Sequence, residues 1–582
     1  MSEYRTHTCN EISLEDVGKK VKIAGFVQTI RNHGGVVFLD IRDMYGITQV
    51  VTSGKEEEVD FASHIPIESS VTISGTVRKR AEETINLKLK TGLVEIFIED
   101  IKILGKRTKN LPFEVNSNQD IREDLRLQYR FLDLRSDKLK NNLLLRAKVI
   151  QYLRNQMIEQ GFLEVQTPIL TSSSPEGARD YLVPSRLHPG KFYALPQAPQ
   201  QFKQLLMVSG IDKYFQIAPC FRDEDCRADR TLEFYQLDLE MSFATDEDVY
   251  EVGEKVFYET FKNFTDKYVS PAPFRRISFK EAMLKYGCDK PDLRNPLIIE
   301  DASDIFENSE FAGFKGKIVR CIKCSNVTKS NSWYKHLEEF VKSKGAGGLA
   351  YLKKNDGEIK SAILKFLSEE EINSLDERFE LKDGDVLFVL AGDEHIIKIV
   401  GLLRNYLGEE LEITNHNRFE FCIVNDFPFF EYNEEDKKWD FGHNPFSMPQ
   451  GGIDALNDMN PGDIVAYQYD FVCNGNEMAS GAVRNHDINI MKKAFSIAGY
   501  SEDVVKDKFR SLYTAFTFGA PPHAGMAPGI DRIVMLLTDE ENLREVQVFP
   551  PNVQGMDLLM GSPNTLTDKQ LKELGITITE EK

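Results

Sequence analysis

Short segments in about the first hundred residues alternate apolar and polar side chains with a period of two. Val71, Ile73 and Gly75 alternate with Thr72 and Ser74, which is the pattern of a strand with one buried face. Turn-forming residues separate five such segments, VKIAGFVQTI, VVFLDIRD, ITQVVTS, VTISGTVRKR and LVEIFIEDIKIL. Five strands in this length predict a small barrel.

The pattern changes to a helical period at Asn141, and we expect this helix to end with Gly161 as its C-cap. The residues predicted for its buried face are Leu143, Ala147, Ile150 and Met157. A strand-like segment, FLEVQTPIL, comes next. Strand-rich sequence is expected over 191–243, and a further helix over 246–267.

Changes in composition and in the predicted secondary structure divide the chain into six segments. Residues 292–415 are interpreted as an insertion, because Lys- and Glu-rich helices and the turn GAGGLAYL interrupt strand-rich sequence that returns near Phe419. The predicted parts are a barrel at 1–107, a basic hinge at 108–140, a core domain at 141–291 and 416–548, the insertion at 292–415, and a C-terminal extension at 549–582.

Composition narrows the class of protein. With 582 residues, 41% of them hydrophobic and 28% charged, we expect several globular domains and exclude a disordered or collagen-like chain. The segment MSEYRTHTCN has no signal-peptide pattern, and no apolar run reaches the roughly 18 residues of a membrane helix. We therefore expect a cytoplasmic protein without membrane association.

Charge and cysteine content limit the partners and metals. The net charge of −20 argues against nonspecific adhesion to nucleic acid, so an RNA partner must meet local basic patches. Only Cys321 and Cys324 form a CxxC, and a zinc site needs a second pair of ligands. We therefore expect ordinary reduced thiols and no zinc.

Two tetrapeptides place charged groups where they can bind phosphate. FRDE at 221–224 lies between two predicted strands, where a guanidinium can bind phosphate and a carboxylate can accept from an amine. GIDR at 529–532 opens a helix, where Arg532 can stack on a base or meet phosphate. The alternatives are a surface salt-bridge cluster and an ordinary helix start.

A third segment, YQYDFVCNGNEMASG, pairs two carboxylates. Asn474-Gly475 is a strong hairpin turn, which pairs Val472 with Glu477. Asp470 and Glu477 then become diagonal neighbours on one face, roughly 7 Å apart at the backbone. Two carboxylates this close suit Mg²⁺ that also carries phosphate oxygens, although solvated strand carboxylates are the alternative.

In this order, the segments resemble the signature motifs of class II aminoacyl-tRNA synthetases, with the helix from Asn141 through Pro168 as motif 1, FRDE as motif 2 and GIDR as motif 3. TSSSPEGARDY, PQAPQQFKQLLM, CFRDEDCRADR and FGAPPHAGMAPGIDR resemble the bacterial-type aspartyl-tRNA synthetase family, and GAGGLAYL resembles its GAD domain. The resemblance implies an α+β fold: an N-terminal OB-fold barrel, an antiparallel sheet flanked by helices and an inserted α/β GAD-like domain. It also implies a homodimer formed through motif 1.

The resemblance assigns functional roles to residues of this sequence. The catalytic residues would be Arg222, Glu224 and Arg532. ATP would be bound by Arg222, Asp223, Glu224, Phe234, Glu477, Gly529, Ile530, Asp531 and Arg532. Aspartate would be bound by Glu176, Gln200, Lys203, Arg222, Asp238, His443 and Arg484, and Mg²⁺ by Asp470 and Glu477.

Within this set, Phe234 and Arg532 would sandwich adenine, while Lys203 and Arg484 would clamp the β-carboxylate of aspartate. The sequence departs from the family pattern at two positions. It has Asn444 where many relatives have a second histidine, and Thr231 where many have a glutamine that contacts ATP.

The implied reaction joins aspartate to tRNA(Asp) with ATP as substrate, through aspartyl-adenylate. In the barrel, the anticodon would contact Arg31, His33, Phe38, Gln49 and Arg78, with Lys79 and Arg80 adding positive charge. The resemblance places tRNA discrimination at His33 and Glu83. His33-Gly34-Gly35 is typical of relatives that also charge tRNA(Asn), whereas Glu83 stands where some of them have glycine.

Two alternatives stay open on the sequence. One is a synthetase restricted to tRNA(Asp), in which His33 is an exposed loop residue without a role in selection. The other is a noncatalytic synthetase-like RNA-binding protein, which is disfavoured because Arg222, Glu224 and Arg532 are all present. An asparagine-specific enzyme is disfavoured by the GAD-like insertion and by the Lys203/Arg484 pair.

Overall fold

The computed structural model describes residues 2–116, 119–173 and 178–579, and the chain divides into two compact units, residues 1–140 and 141–582. In the first unit, apolar side chains of the alternating segments fill the interior of a closed barrel. Its strands, in spatial order β1-β2-β3-β5-β4, are β1 (Lys20–His33), β2 (Val36–Arg42), β3 (Ile47–Val51), β4 (Ser70–Lys79) and β5 (Val94–Gly105). The helices of this unit are α1 (Glu56–Ser63), α2 (Glu123–Gln128) and α3 (Arg130–Asp133). The predicted OB-fold barrel is confirmed.

The second unit is built on an eight-stranded sheet that is mostly antiparallel. The strands of this unit are β6 (Leu163–Glu164), β7 (Leu182–Pro184), β8 (Phe192–Ala194), β9 (Lys213–Phe221), β10 (Glu233–Ser242), β11 (Tyr268–Val269), β12 (Arg275–Ser278), β13 (Ile299–Asp301), β14 (Ile318–Cys324), β15 (Ala350–Asn355), β16 (Glu358–Lys360), β17 (Val386–Gly392), β18 (Arg418–Phe419), β19 (Phe421–Asn425), β20 (Phe430–Asn433), β21 (Lys438–Phe441), β22 (Gln468–Cys473), β23 (Asn476–Val483) and β24 (His523–Pro528). The order in the large sheet is β12-β19-β22-β23-β24-β10-β9-β6.

The second unit also contains helices. They are α4 (Asp137–Glu159), α5 (Gln200–Val208), α6 (Asp246–Phe264), α7 (Phe279–Tyr286), α8 (Asn331–Ser343), α9 (Glu369–Phe379), α10 (Ile396–Glu410), α11 (Gly452–Asp458), α12 (Ile488–Ile497), α13 (Glu502–Lys508), α14 (Arg510–Phe516), α15 (Ile530–Leu537) and α16 (Asp568–Leu574). Apolar residues of α4, α6 and α15 share one core with the sheet. Among the described residues, no helix is long and apolar enough to cross a membrane.

The buried face of α4 differs from the prediction. Ala147 is exposed, and the most deeply buried apolar residues of the helix are Val149, Leu153 and Met157. The stripe continues toward the helix start through Arg146, a charged residue that hydrophobic periodicity does not assign to a buried face. Its burial is stabilised by an ion pair described below.

Two further expectations for this region were wrong in detail. The segment FLEVQTPIL forms only the two-residue strand β6, which pairs in parallel with β9. The strand-rich interpretation of 191–243 missed α5, whose buried positions 200, 203, 204 and 207 follow a helical period. Because three of these four residues are polar, the apolar pattern gives only a weak helix signal.

The predicted insertion forms a separate five-stranded sheet of order β13-β14-β17-β15-β16. Residues of α8 and α10 contact one face, and residues of α9 contact the other. Cys321 and Cys324 both lie on β14, but their side chains join the clusters on opposite faces of this sheet. The CxxC spacing therefore directs the two thiols away from each other.

Candidate active site

A cavity of about 440 Å³ opens on the face of the large sheet that α4, α6 and α15 do not cover. Strand alternation creates this face, because Leu237 and Leu239 of β10 enter the core while Asp238 lines the cavity. The same alternation on β22 buries Phe471 in the core and turns Asp470 to the cavity.

The structure brings most predicted site residues together around this cavity. Those that line it are Gln200, Lys203, Arg222, Glu224, Phe234, Asp238, His443, Asp470, Glu477, Arg484, Gly529, Asp531 and Arg532. Asp223 and Ile530 are not among the described residues of the lining, and the Ile530 side chain is fully buried in the core. Glu176 lies outside the described residues.

Four charged side chains form a closed cluster at the inner end of the site. Lys203 Nζ lies 2.9 Å from Asp238 Oδ2 and 3.3 Å from Glu240 Oε2. Arg484 donates from Nε to Glu240 Oε1 over 2.9 Å and from Nη2 to Oε2 over 3.2 Å. All four side chains are at most 2% exposed, so the two cations are held inside the protein by carboxylates and not by water.

The carboxylates of this cluster have different electrostatic environments. Burial raises the pKa of Asp238, and its Oδ1 accepts no hydrogen bond from the described residues. Burial also acts on Glu240, but Arg484 and Lys203 outweigh it and lower the pKa of this carboxyl. Because Asp238 lines the cavity and no described residue donates to its Oδ1, this oxygen suits an ammonium group of a ligand.

A buried histidine, His523, lies near this cluster. The His523 ring accepts from the Gln204 amide at Nε2 over 3.1 Å, and its Nδ1 donates to the Pro521 carbonyl over 2.8 Å. Burial lowers the pKa of His523, so the neutral ring is favoured beside the two buried cations.

Arg222 and Phe234 lie on the paired strands β9 and β10 or directly beside them, as the predicted hairpin requires. The guanidinium carbon of Arg222 is 5.0 Å from the centre of the Phe234 ring, and the buried Nε has no hydrogen-bond partner among the described residues. Glu224 pairs with Arg230 over 3.3 Å at a half-exposed position. An anionic ligand with an aromatic group would find here a guanidinium nitrogen that no described residue occupies, together with a ring face.

The hairpin of β22 and β23 has the predicted register. Val472 pairs with Glu477, and Asn474 and Gly475 both have positive φ, as a tight hairpin turn requires. A register shift after Phe471 then pairs Asp470 with Ser480.

The two carboxylates of this hairpin interact strongly. Burial and the neighbouring Glu477 raise the pKa of Asp470 well above its usual range, and Lys290 opposes this. Burial acts to lower the pKa of Lys290, but Glu477 and Asp470 outweigh it and raise that pKa. Asp470 Oδ1 is buried and accepts no hydrogen bond within the described chain.

Asp531, predicted to bind ATP, also has a structural contact that the sequence did not indicate. Its Oδ1 is ion-paired with Arg146 Nη1 of α4, and its Oδ2 accepts from the Tyr235 N–H over 3.3 Å. One buried carboxylate thus connects α4, β10 and α15. The adjacent Arg532, the predicted adenine-stacking residue, donates to the Glu477 carbonyl over 2.7 Å.

Four of the predicted anticodon residues lie on one face of the barrel. They are Arg31, Phe38, Gln49 and Arg78. Arg31 donates to Asp40 over 2.6 and 2.9 Å and to Gln49 over 3.1 Å, and it pairs across the strands with Phe38. The Arg78 guanidinium lies 3.5 Å above the Phe97 ring.

Three other barrel residues with predicted roles in tRNA binding differ in their exposure. His33 is exposed at the hairpin end and packs edge-on against Phe38, while Glu83 is exposed in the 3-10 helix Glu82–Thr84. Arg80 was wrongly assigned to the basic surface, because it is buried and donates to the carbonyls of Val94 and Thr84.

Three charged residues that the sequence analysis did not assign contact predicted site residues. Glu240 shares its strand face with Asp238 two residues earlier, a period-two signal that could have identified it. Lys290 and Arg146 give no comparable signal, because Glu477 and Asp531 lie far from them in the sequence.

Comparisons with known proteins agree with this fold. Residues 122–553 match the family model of class II tRNA synthetases (D, K and N), and residues 21–104 match that of the OB-fold nucleic acid binding domain. The chain therefore belongs to the class II aminoacyl-tRNA synthetases. Within that class it falls in the family that contains the D, K and N synthetases.

Relatives cover the full length of the chain. Proteins named "Aspartate--tRNA(Asp/Asn) ligase" from Rickettsia akari (strain Hartford) and Rickettsia canadensis (strain McKiel) are each 54% identical, over 100% and 99% of this chain and 98% of each relative. Among solved structures, asparaginyl-tRNA synthetase from Pyrococcus horikoshii with asparaginyl-adenylate matches with a TM-score of 0.58 at 19% identity, covering 94% of this chain and 97% of that one. Aspartyl tRNA synthetase from Entamoeba histolytica matches with a TM-score of 0.57 at 21% identity, covering 93% and 90%.

Proposed function

We propose that this protein attaches L-aspartate to tRNA(Asp) and tRNA(Asn), using ATP and an aspartyl-adenylate intermediate. The observation that carries the proposal is the buried cluster of Lys203, Arg484, Asp238 and Glu240 at the inner end of a cavity that also contains Arg222. Lys203 and Arg484 bind the β-carboxylate of aspartate, and the free Oδ1 of Asp238 accepts from its ammonium group.

This arrangement selects aspartate over its uncharged isostere. Asparagine would bring an uncharged amide to Lys203 and Arg484, so it would lose the charge–charge attraction that the aspartate β-carboxylate gains beside these two buried cations. Lysine is excluded because a third cation would lie beside Lys203 and Arg484.

In the first step, the α-carboxylate oxygen of aspartate attacks the α-phosphorus of ATP. A P–O bond forms, the bond to the bridging oxygen breaks, and pyrophosphate leaves. Arg222 binds the α-phosphate oxygens, while Phe234 and Arg532 hold adenine between an aromatic face and a guanidinium. Glu224 accepts from the adenine amine. The protein supplies no nucleophile, so its contribution is orientation and charge stabilisation.

In the second step, the 3′-OH of the terminal tRNA adenosine attacks the carbonyl carbon of the adenylate, and AMP leaves. The residues at the outer end of the cavity also fit a divalent cation, because Asp470 has a buried oxygen that accepts no hydrogen bond from the described residues and lies beside a second carboxylate. Asp470 and Glu477 would hold Mg²⁺, which neutralises charge on the ATP phosphates when bound.

The barrel reads the anticodon in this proposal. Phe38 offers a ring face for stacking, and Arg31 and Gln49 offer polar groups on the same side. Residues 1–107 bind the anticodon, 108–140 form a hinge, 141–291 and 416–548 form the catalytic domain, 292–415 form the insertion, and 549–582 form an extension. The reaction takes place in the cytoplasm.

Charging of both tRNAs is inferred from His33 and from the printed name of the Rickettsia relatives. The test is radiolabelled aspartate charging of separately transcribed tRNA(Asp) and tRNA(Asn). We expect both to be charged, and we expect His33→Leu to lower kcat/KM for tRNA(Asn) by about tenfold more than for tRNA(Asp), which corresponds to one lost loop contact.

His336→Leu, the same replacement at an exposed position of α8 in the insertion, is the matched control and should change neither value. If the unmodified enzyme charges only tRNA(Asp), it is the restricted synthetase. If it charges neither tRNA, the noncatalytic alternative is correct.

We also propose that the protein is a homodimer formed around motif 1. β6 is an edge strand of the large sheet, and the surrounding motif 1 segment exposes Ile158, Leu163, Ile169 and Leu170 at 45–57% of their surface. Exposed apolar side chains grouped in one segment are typical of an interface. Sedimentation equilibrium should give twice the chain mass of 66.5 kDa, and a monomer at micromolar concentration would contradict this proposal.

A further inference from the structure

Lys290 places a positive charge at the outer end of the cavity, where the reaction above assigns it no part. It lies between α7 and β13, in the segment that leads into the insertion. Its Nζ is 3.3 Å from Glu477 Oε2 and 2.5 Å from Asp289 Oδ2. Lys290 lines the same cavity as Asp470 and Glu477.

The fold holds the backbone around this lysine in place. A Cβ at Gly475, in the turn between β22 and β23, would lie 3.5 Å from Asp292 Cβ and 3.9 Å from the Lys290 carbonyl, so the segment packs directly on the turn. Arg404 of α10 is fully buried and donates to three backbone carbonyls of the same segment. These are Asp292 at 3.0 Å, Asn295 at 2.6 Å and Leu297 at 2.6 Å. The insertion therefore anchors the chain that delivers Lys290.

An ammonium in this position affects metal binding. Mg²⁺ in phosphate-transfer sites is held by one or two carboxylates together with substrate phosphates. A divalent cation that binds Glu477 would meet the Lys290 ammonium at the same carboxylate, and two cations at such short range repel each other. The lysine side chain is long and flexible, so it can move when phosphates enter.

We propose that Lys290 is a resident counter-cation of the Asp470–Glu477 pair that competes with the divalent cation in the ATP-free enzyme. Metal then binds tightly only together with ATP, whose phosphates offer Lys290 an alternative partner. This inference rests on the proposed function only in assigning Asp470 and Glu477 as the metal ligands.

The test measures Mn²⁺ binding to the full chain without ATP, aspartate or tRNA, from the electron paramagnetic resonance signal of free Mn²⁺. Lys290→Met should bind Mn²⁺ at least about tenfold more tightly than the unmodified protein, whereas Lys290→Arg, which keeps the charge, should stay within about threefold. Adding Glu477→Gln to Lys290→Met should remove the gain.

Mn²⁺ affinity of Lys290→Met equal to or below that of the unmodified protein would overturn the proposal. A gain that survives Glu477→Gln would also overturn it, because the metal would then bind elsewhere. If Lys290→Met does not fold, Lys290→Gln takes its place under the same criteria. Since the measurement contains no substrate, its failure is distinguishable from failure of the proposed function, which the charging assay detects.

Discussion

Lys203→Met is expected to lower kcat/KM for aspartate by about 10²–10³-fold in ATP–pyrophosphate exchange, while KM for ATP changes by less than about threefold. The variant removes one of the two cations that bind the substrate β-carboxylate and leaves Asp238 and Glu240 buried with Arg484 alone. The pocket then has a net negative charge, which repels an anionic side chain. ATP contacts other residues, so its binding is largely retained.

The control is Lys280→Met, the same replacement at an exposed position of α7, which should leave both constants unchanged. Thermal melting of both variants verifies that Lys203→Met is folded. Equal losses in the use of aspartate and of ATP would contradict the assignment of Lys203 to the aspartate clamp.

Arg146→Ala should lower the free energy of unfolding of the 141–582 unit by about 3–5 kcal/mol, because it leaves the Asp531 carboxylate buried without its ionic partner. Asp531 would retain only its weaker contacts to the Tyr235 N–H and the Gln547 amide. Urea titration followed by circular dichroism measures the change. Arg532, which follows Asp531 in the chain, should also lose its position, so KM for ATP should rise.

A double-mutant cycle separates the ion pair from other effects of the substitution. Arg146→Met combined with Asp531→Leu should cost less than the sum of the single variants by about 2 kcal/mol or more. Lys148→Ala on the exposed side of α4 is the control and should stay within about 0.5 kcal/mol of the unmodified protein. Additive effects would show that the two side chains do not stabilise each other.

The predictable parts of this site are those in which a local pattern fixes the geometry. The turn at Asn474-Gly475 sets the register that brings Asp470 and Glu477 to one face. The alternation of β10 sends Asp238 to the cavity and its neighbours to the core. In both cases the relevant residues are separated by only a few positions, so sequence spacing alone determines which face they share.

The parts that could not be predicted depend on distant partners. Arg146 interrupts the apolar stripe of α4, and its burial is stabilised by an ion pair with Asp531, 385 residues further along the chain. Arg80 has the sequence context of a basic surface, yet neighbouring carbonyls satisfy its guanidinium inside the barrel.

The sequence by itself determined the barrel, the class II catalytic sheet, the insertion and thirteen of the residues that line the cavity, because strand alternation, tight turns and recognisable motifs are local properties. The tertiary structure alone decided which charges are buried. It placed Glu240 between Lys203 and Arg484, joined Arg146 to Asp531, and brought Lys290 to Glu477. A charged side chain is buried only where a partner compensates for its lost hydration, and the partner is specified by the fold and not by neighbouring sequence.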